Sequence, residues 1–198
     1  MIKQVPWQHL IYDGFLLDDV LTEVRAEIGS ERYDYEFEAR GTGRIEYSLA
    51  KSETLWRAIY SRRTLALLSA AFGVKVSLNK HNLVQLRRMN DLTPDFPLHN
   101  DSTPDGETIV SFLYLSPGWS PACGGYLHLF GSENDPSPTA SVEPIENRLV
   151  AFRTAPLHWH SVARVHNWER ISVLALWDIG EAIASSSVDQ NVSHADKI

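Results

Sequence analysis

The segment "NRLVAFRTAPLHWHSVARVHNWERISVLALWDI", residues 147–179, contains three short runs of β-forming residues, "NRLVAFRT", "WHSVARVH" and "RISVLALWDI". Toward the N-terminus, "VSLNKHNLVQLRRM", "GETIVSFLYLS" and "GGYLHLFG" continue the pattern back to about Val74, with Pro, Gly, Asn and Asp between the runs. Many short strands separated by turn residues are typical of two packed sheets. The pattern therefore predicts a mainly β fold of the jelly-roll type.

Two amphipathic segments precede these strands. "LDDVLTEVRAEIG", residues 17–29, has apolar residues at helical spacing, with Asp18 or Asp19 as its cap and Gly29 as its stop. A second helical segment runs from a cap at Ser52 to "AFG", and the "SRRT" in its middle is a candidate break. The two segments predict N-terminal helices that support the β core.

The domain organisation follows from this order of segments. We expect a single domain over residues 1–180, with helical support in 1–73 and the β core in 74–180, because 198 residues correspond to about one domain. The polar segment "GSENDPSPTASVEP" predicts a loop, and residues 181–198 predict a polar C-terminal tail.

Composition narrows the class of protein. The chain is 43% hydrophobic and 22% charged, which is typical of a globular domain. A net charge of −7 argues against general nucleic-acid binding, and the single cysteine, Cys123, excludes an intrachain disulfide. The N-terminus lacks the apolar run of a signal peptide, and no segment approaches the roughly 18 apolar residues of a membrane span. We therefore expect a cytoplasmic protein whose partners are small molecules or peptides rather than nucleic acids or membranes.

Polar residues on the apolar strands are the candidates for chemistry. In "PLHNDS", His99 and Asp101 are two residues apart, and side chains at this spacing share one face of a strand. Asp101 could instead cap a turn. A distant histidine would complete a set of two imidazoles and one carboxylate, which can bind one face of Fe(II). Three histidines compete for that place, namely His158, His160 and His166.

Arg170 favours His160 among these three. It lies ten residues after His160, at the start of the apolar run "RISVLALW", where a buried guanidinium needs an anionic partner. That partner could be one of the acidic residues of the chain. Beside a metal site, the carboxylate of a dicarboxylate cosubstrate is the stronger interpretation, since guanidinium and carboxylate groups pair in bidentate geometry.

Several linked motifs resemble one known family. These are "LHND", "FLYLS", "GGYLHLF" and "NRLVAFRTAPLHWHSVARVHNWERISVLALW", which together cover roughly Leu83 to Ile179. In this order they resemble the iron(II)- and 2-oxoglutarate-dependent oxygenases, specifically the prolyl-4-hydroxylase-like branch that includes the hypoxia-factor prolyl hydroxylases. The resemblance implies a double-stranded β-helix as the fold. It also implies roles for six residues: His99, Asp101 and His160 would bind iron, Arg170 and the Tyr114 hydroxyl would hold the far carboxylate of 2-oxoglutarate, and Leu127 would pack against its methylene groups.

The resemblance further implies an activity. The protein would be a dioxygenase that uses Fe(II), 2-oxoglutarate and O2, with ascorbate as a candidate reductant. It would hydroxylate an unactivated C–H bond and release succinate and CO2. The short chain favours a small molecule, such as an amino acid or a biosynthetic intermediate, and a prolyl residue is the other candidate substrate. The alternative is a non-oxidative, cupin-like jelly roll that binds a metal or a small ligand.

Residues that flank the predicted ligands are candidates for substrate contact. Relatives of the hypoxia type carry a tyrosine ten residues before the first ligand, where this chain has Met89. An apolar, adaptable methionine at that position is consistent with a pocket shaped for a different substrate. The remaining candidates are Arg87, Asn100, Trp119, Arg153 and His158.

Overall fold

The computed structural model describes residues 1–29, 35–39, 43–49, 52–79, 84–104 and 106–182. Within these ranges the strands form two sheets. The larger sheet contains β1 (Ile2–Lys3), β2 (His9–Asp13), β3 (Tyr35–Ala39), β4 (Gly43–Leu49), β5 (Val74–Leu78), β6 (Val84–Met89), β8 (Thr108–Tyr114), β11 (Arg148–Arg153) and β13 (Arg170–Ala182). The smaller sheet contains β7 (Phe96–His99), β9 (Leu127–Leu129), β10 (Ala140–Val142) and β12 (His160–Val162).

The long strand β13 organises the larger sheet. It pairs with β8 along one edge and with β6 and then β5 along the other, all antiparallel. The order of strands is β1-β2-β11-β8-β13-β6-β4-β3, and that of the smaller sheet is β10-β9-β12-β7. From β7 onward the chain passes back and forth between the two sheets, with β9 and β10 as a consecutive pair in the smaller one, so the architecture is a double-stranded β-helix. The predicted mainly β jelly roll is confirmed.

Three helices in the described part of the chain cover the outer face of the larger sheet: α1 (Asp18–Ile28), α2 (Glu53–Ile59) and α3 (Arg62–Phe72). The predicted break between the second and third lies at Ser61, whose side chain accepts a hydrogen bond from the backbone of Thr64. Ser52 caps α2 in the same way. Such caps satisfy amide groups that a helix start leaves without partners, which is why the chain stops one helix and starts another here.

Two apolar clusters hold these layers together. One lies between the helices and the larger sheet and includes the fully buried Trp177. The other lies between the two sheets and includes Met89, Tyr114 and Leu127. Since β8 is covered by helices on one face and by the smaller sheet on the other, all its residues from Ile109 to Tyr114 are buried, and its sequence does not alternate between apolar and polar residues.

The structure differs from the sequence prediction in two segments. The predicted helical support over residues 1–73 also contains strands β1 to β4, which extend the larger sheet at both ends. The predicted loop over residues 131–144 contains β10, which pairs with β9. Of the predicted polar tail, Glu181 and Ala182 belong to β13, and residues 183–198 lie outside the described residues. The domain limits stay a prediction. Among the residues that the structure describes, no helix has the length and apolar character needed to cross a lipid bilayer.

Candidate metal centre and cosubstrate site

Three side chains predicted as metal ligands lie in one cluster. His99 ends β7, His160 begins β12, and the two residues pair across the smaller sheet. Their ring centroids are 4.1 Å apart. One candidate ligand atom from each of His99, Asp101 and His160 lies within 4.8 Å of the other two. The fold thus brings together groups that are far apart in sequence.

Backbone carbonyl groups fix the orientation of both imidazole rings. Nδ1 of His99 lies 2.7 Å from the carbonyl oxygen of Pro97, and Nδ1 of His160 lies 2.9 Å from that of His158. Because a carbonyl oxygen can only accept, each Nδ1 carries the proton and donates it. The lone pair of each ring is then on Nε2, the atom nearer to Asp101. Both rings therefore direct Nε2, the nitrogen left for a metal ion, toward the carboxylate.

Asp101 reaches the histidines through a turn. The sequence placed His99 and Asp101 on one face of a strand, but β7 ends at His99 and Asp101 has a left-handed backbone with φ of +50°. Aspartate adopts this conformation more readily than most residues. The turn places its carboxylate oxygens 3.4 Å from Nε2 of His99 and 3.2 Å from Nε2 of His160. The expected proximity is present, but a turn rather than strand alternation produces it.

The charge and hydrogen bonding of this cluster fit a divalent metal ion. Burial raises the pKa of Asp101, but the neighbouring His160, His99 and Arg87 outweigh burial and lower that pKa to about 2, so the carboxyl is ionised at neutral pH. Nε2 of His160 is buried and makes no hydrogen bond to any described residue. Two imidazole nitrogens and one carboxylate oxygen are the donor set of non-haem Fe(II) sites. These residues therefore fit iron(II).

Arg170 lies beside this cluster at the start of β13 and is only 3% exposed. Its Nε donates to the carbonyl oxygen of Gly125 at 3.1 Å, and its Nη1 donates to Oγ of Ser172 at 3.2 Å. Its guanidinium carbon lies 4.8 Å from the centroid of the Tyr114 ring. Among the described residues no carboxylate forms an ion pair with Arg170. A buried cation without an internal anion is suited to an anionic ligand.

Two further buried residues, Tyr114 and Met89, lie next to Arg170. The Tyr114 hydroxyl has no hydrogen-bond partner among the described residues, and burial raises its pKa although the positive charge of Arg170 acts in the opposite direction. This hydroxyl therefore stays protonated and can donate to a ligand. Sδ of Met89 lies 3.8 Å from Nη1 of Arg170. Leu127 belongs to the same apolar cluster as Tyr114 and Met89.

Ser172 is a site residue that the sequence analysis missed. It is fully buried and accepts a hydrogen bond from Arg170. The available signal was its spacing: two residues after Arg170 in "RIS", its side chain must lie on the same face of the strand. A buried hydroxyl on that face needs a polar partner, and the guanidinium is the nearest one.

One cavity joins the histidine cluster to Arg170. It has a volume of about 90 Å³, and its lining contains the three candidate ligands, Arg170 and Arg87. The rest of the lining is apolar and comes from both sheets: Phe96, Phe112, Val162 and Leu174. A dicarboxylate in this cavity could place one end near the metal ligands and the other at Arg170.

The glycine pair before β9 allows the close approach of Arg170. Gly125 has φ of +71°, and a Cβ atom on it would lie 3.2 Å from Cδ of Arg170. We expect Gly125→Ala to displace the guanidinium and to weaken 2-oxoglutarate binding by about 10-fold, or about 1.4 kcal/mol, because the added methyl group would press on Cδ of Arg170. Calorimetric titration with 2-oxoglutarate in the presence of metal would measure this.

Gly118 provides a matched control for this effect. It also has φ of +71°, but a Cβ atom on it would meet nothing within 4 Å. Gly118→Ala should therefore show a similar loss of thermal stability without the loss of affinity. Equal affinities in the two variants would contradict the role given to the Gly125 contact.

A larger cavity opens outward from this site. Its volume is about 590 Å³, and it shares Arg87, Asp101 and Leu174 with the smaller one. Volumes of roughly 300–1,000 Å³ are typical of ligand pockets. This cavity is therefore large enough for a substrate, and it meets the cosubstrate cavity at Asp101.

The predicted substrate contacts divide into two groups. Arg87 lines both cavities, and Met89 contacts Arg170. Two others belong to loops in which they hold the backbone. Asn100 donates to the carbonyl oxygen of Pro156 at 3.0 Å, and Nε1 of Trp119 donates to that of Gly124 at 2.9 Å. Neither Asn100 nor Trp119 is in the lining of these two cavities.

Arg153 and His158 are likewise held outside the two linings. Arg153 donates to the carbonyl oxygen of Phe72, the last residue of α3, at 2.9 Å. The ring of His158 stacks on Trp7 with centroids 4.6 Å apart. His158 and His166, the rivals of His160 in the sequence, are both outside the cluster of ligand atoms found among the described residues. His160 is the histidine that this cluster contains.

Comparison with known proteins agrees with the iron(II) site that the geometry indicates. A family model described as the 2OG-Fe(II) oxygenase superfamily matches residues 84–177. The prolyl 3-hydroxylase OGFOD1 of Xenopus laevis is 35% identical over 74 residues, which are 36% of this chain and 14% of the relative. The mouse (Mus musculus) OGFOD1 is 32% identical over 94 residues, which are 45% of this chain and 17% of the relative. The match thus spans less than a fifth of these curated relatives.

Solved structures share the fold over most of the chain. A Pseudomonas putida prolyl-4-hydroxylase superimposes with a TM-score of 0.59 at 19% identity, covering 85% of this chain and 91% of that one. The α-ketoglutarate-dependent epimerase SnoN from nogalamycin biosynthesis superimposes with a TM-score of 0.66 at 17% identity, covering 86% of this chain and 77% of that one. Structures at these identities support the double-stranded β-helix alone.

The double-stranded β-helix and its two-histidine, one-carboxylate cluster define the class of non-haem metal-dependent oxygenases. Over residues 84–177, the chain matches the 2OG-Fe(II) oxygenase superfamily of that class, and it is similar to the prolyl-4-hydroxylase-like branch. Members of this superfamily use Fe(II), 2-oxoglutarate and O2, and the cluster of His99, Asp101 and His160 supplies the corresponding donor set.

Proposed function

We propose that this protein is a 2-oxoglutarate-dependent hydroxylase whose iron(II) is held by His99, Asp101 and His160. The observation that carries the proposal is the single cavity lined by these three residues and by the buried Arg170. Iron(II), when bound, supplies the activation of O2 that couples conversion of 2-oxoglutarate to succinate and CO2 with hydroxylation of the substrate. The protein supplies ligation, orientation and exclusion of water.

Each residue has a definable part in this proposal. The backbone carbonyls of Pro97 and His158 hold a proton on Nδ1 of each imidazole, so that Nε2 is the atom that binds the metal. Arg170 pairs with the far carboxylate of 2-oxoglutarate, and the Tyr114 hydroxyl donates to the same group. The apolar lining at Phe112 and Leu174 shields the reacting centre from water.

The proposed substrate is a small molecule such as an amino acid or a biosynthetic intermediate. The outer cavity of about 590 Å³ supports this, since it lies in the range of small-ligand pockets. A prolyl residue within a peptide is the second candidate. It is favoured by the 35% identity with a prolyl 3-hydroxylase over the matched segment.

An anaerobic titration tests the proposed site. Metal-free protein is titrated with Fe(II) and then with 2-oxoglutarate, and we expect a visible charge-transfer band from the chelate of the bound metal. Tyr114→Phe removes the hydroxyl donor alone and should shift the 2-oxoglutarate titration to about 10- to 100-fold higher concentration, because a hydrogen bond to a charged group contributes about 1.5–3 kcal/mol. Tight metal binding without a band would instead favour the non-oxidative cupin-like alternative.

A further inference from the structure

One face of β13 connects the two cavities. Alternate residues of a strand share a face, so Arg170, Ser172, Leu174, Leu176 and Asp178 follow one another along it. The first of these lines the small cavity, the last two line the outer one, and Leu174 lines both. The outer cavity is therefore a continuation of the cosubstrate cavity along the strand, with a rise of about 3.3 Å per residue.

Arg87 lies where the two cavities meet. On β6, Met89 pairs with Arg170 of β13, and Arg87 pairs with Ser172. Arg87 is therefore level with Ser172, which is two residues closer to the outer cavity than Arg170. It is in the lining of both cavities. Asp101 is also in the lining of both cavities, which places Arg87 near the candidate metal ligands.

Gln85 holds the Arg87 side chain. Nε and Nη2 of Arg87 both donate to Oε1 of Gln85, at 3.0 and 2.7 Å. Because the amide of Gln85 is neutral, these two hydrogen bonds orient the guanidinium and add no negative charge beside it. Orientation by a neutral neighbour reduces the conformational entropy that a ligand must overcome on binding.

The rest of the outer cavity indicates what kind of anion Arg87 would meet. Val110, Leu174 and Leu176 provide an apolar wall, and Asp101, Glu107 and Asp178 provide acidic groups. One guanidinium matches the geometry and single charge of a carboxylate. A phosphate, with its higher charge, is disfavoured beside three acidic groups.

We propose that Arg87 binds a carboxylate of the primary substrate, and that the substrate is a small carboxylic acid such as a free amino acid. This inference rests on the proposed function and deepens it. The apolar body of the substrate lies along Val110 and Leu176, and its carboxylate meets Arg87 beside Asp101. An internal residue of a peptide has no backbone carboxylate and cannot make this contact.

The test uses matched pairs of probes with the iron-loaded protein. Each of the twenty L-amino acids is compared with its C-terminal amide, and N-acetyl-Gly-Pro-Gly amide represents an internal prolyl residue. The readout is the stimulation of succinate formation from 2-oxoglutarate. We expect at least one free acid to stimulate turnover and its amide to be at least about 10-fold weaker, as expected for loss of a charge-assisted contact.

Substitutions on β6 link this selectivity to Arg87. Arg87→Gln should raise the KM for the active acid by about 10- to 100-fold with a smaller change in kcat, and Arg87→Lys should restore part of the loss. Arg88→Gln is the control, because Arg88 points to the opposite face of the strand and lies 3.6 Å from Glu169. Its KM should stay within about twofold of the wild-type value, which is the scatter of a distant surface change.

Three results would overturn the inference. The first is equal or stronger stimulation by the amides or the blocked peptide, and the second is no stimulation by any free acid. The third is a loss of 2-oxoglutarate affinity in Arg87→Gln as large as the loss for the acid, which would assign Arg87 to the cosubstrate. Failure of the proposed function is seen separately, as absence of the Fe(II)-dependent charge-transfer band in the wild-type protein.

Discussion

Asp101→Ala is expected to weaken Fe(II) binding by more than about 100-fold, because loss of a group that merely supports a metal ligand already lowers affinity by about 10- to 100-fold. Asp101 is the one carboxylate in the cluster of three candidate ligands found among the described residues. Its pKa of about 2 keeps it ionised at neutral pH, so the substitution removes a full negative charge from the set of candidate ligands. Anaerobic calorimetric titration of metal-free protein with Fe(II) at neutral pH measures the effect.

Two further variants make this experiment specific. Asp178→Ala removes another carboxylate from the lining of the outer cavity but leaves the cluster intact, so it should bind Fe(II) as the wild type does. Asp101→Asn keeps the shape of the side chain and separates loss of charge from a disturbed turn. Circular dichroism establishes that all three variants are folded. Equal affinity in Asp101→Ala and Asp178→Ala would refute the assignment of Asp101 as a ligand.

Local sequence signals predicted the elements whose formation depends on nearby residues. The caps at Ser52 and Ser61 act on amides three residues away, so the helices they start are readable from the sequence. Strand β10 is different, because it has three residues in a polar segment and exists through pairing with β9. Nothing in "ASV" itself distinguishes it from the rest of the loop.

In the site, too, some features follow from the local sequence and others depend on partners that are distant in sequence. The spacing of His99 and Asp101 and the place of Arg170 in an apolar run are visible in the sequence, because the chemistry restricts which residue types can stand there. Asn100 and Trp119 were predicted as substrate contacts in the same way as Arg87. Their partners, the carbonyls of Pro156 and Gly124, could not be inferred, since any backbone carbonyl accepts a hydrogen bond.

The backbone geometry at Asp101 was the feature of the candidate metal site that the sequence predicted least well. Asp101 leaves the strand direction with a left-handed φ, and this turn sets where its carboxylate lies. Asparagine and aspartate tolerate that conformation, yet most of them do not adopt it. The prediction that the side chains of His99 and Asp101 lie close together therefore named the right residues. It was wrong about the backbone between them, which turns after His99 instead of continuing as a strand.

Arg170→Met is expected to change cosubstrate affinity and protein stability in opposite directions. The guanidinium is 3% exposed, and its contacts in the described part of the chain are with Gly125, Ser172, Met89 and the ring of Tyr114, none of them anionic. Without 2-oxoglutarate, the charge is desolvated with little compensation. Replacement of buried charged groups by apolar residues of similar volume often stabilises a protein by about 1–4 kcal/mol.

The expected result is a metal-free Arg170→Met variant that unfolds at higher urea concentration than the wild type. It should nevertheless bind 2-oxoglutarate more than about 100-fold more weakly, since a buried bidentate ion pair with the ligand is lost. Urea unfolding with and without the cosubstrate measures both effects. With metal present throughout, the wild type should gain further stability from 2-oxoglutarate, whereas the variant should gain almost none.

Arg148→Met is the matched control, because Arg148 is also buried, at 9% exposed, but lies between two carboxylates. Its Nε is 2.5 Å from Asp13 and its Nη1 is 2.8 Å from Glu143. Removing this arginine breaks ion pairs that the fold itself provides, so the variant should be less stable than the wild type. If Arg170→Met and Arg148→Met were destabilised alike, the guanidinium of Arg170 would be a structural group. If Arg170→Met is more stable than the wild type and Arg148→Met is less stable, the charge of Arg170 lowers the stability of the free protein. Its role is then to bind an anionic ligand.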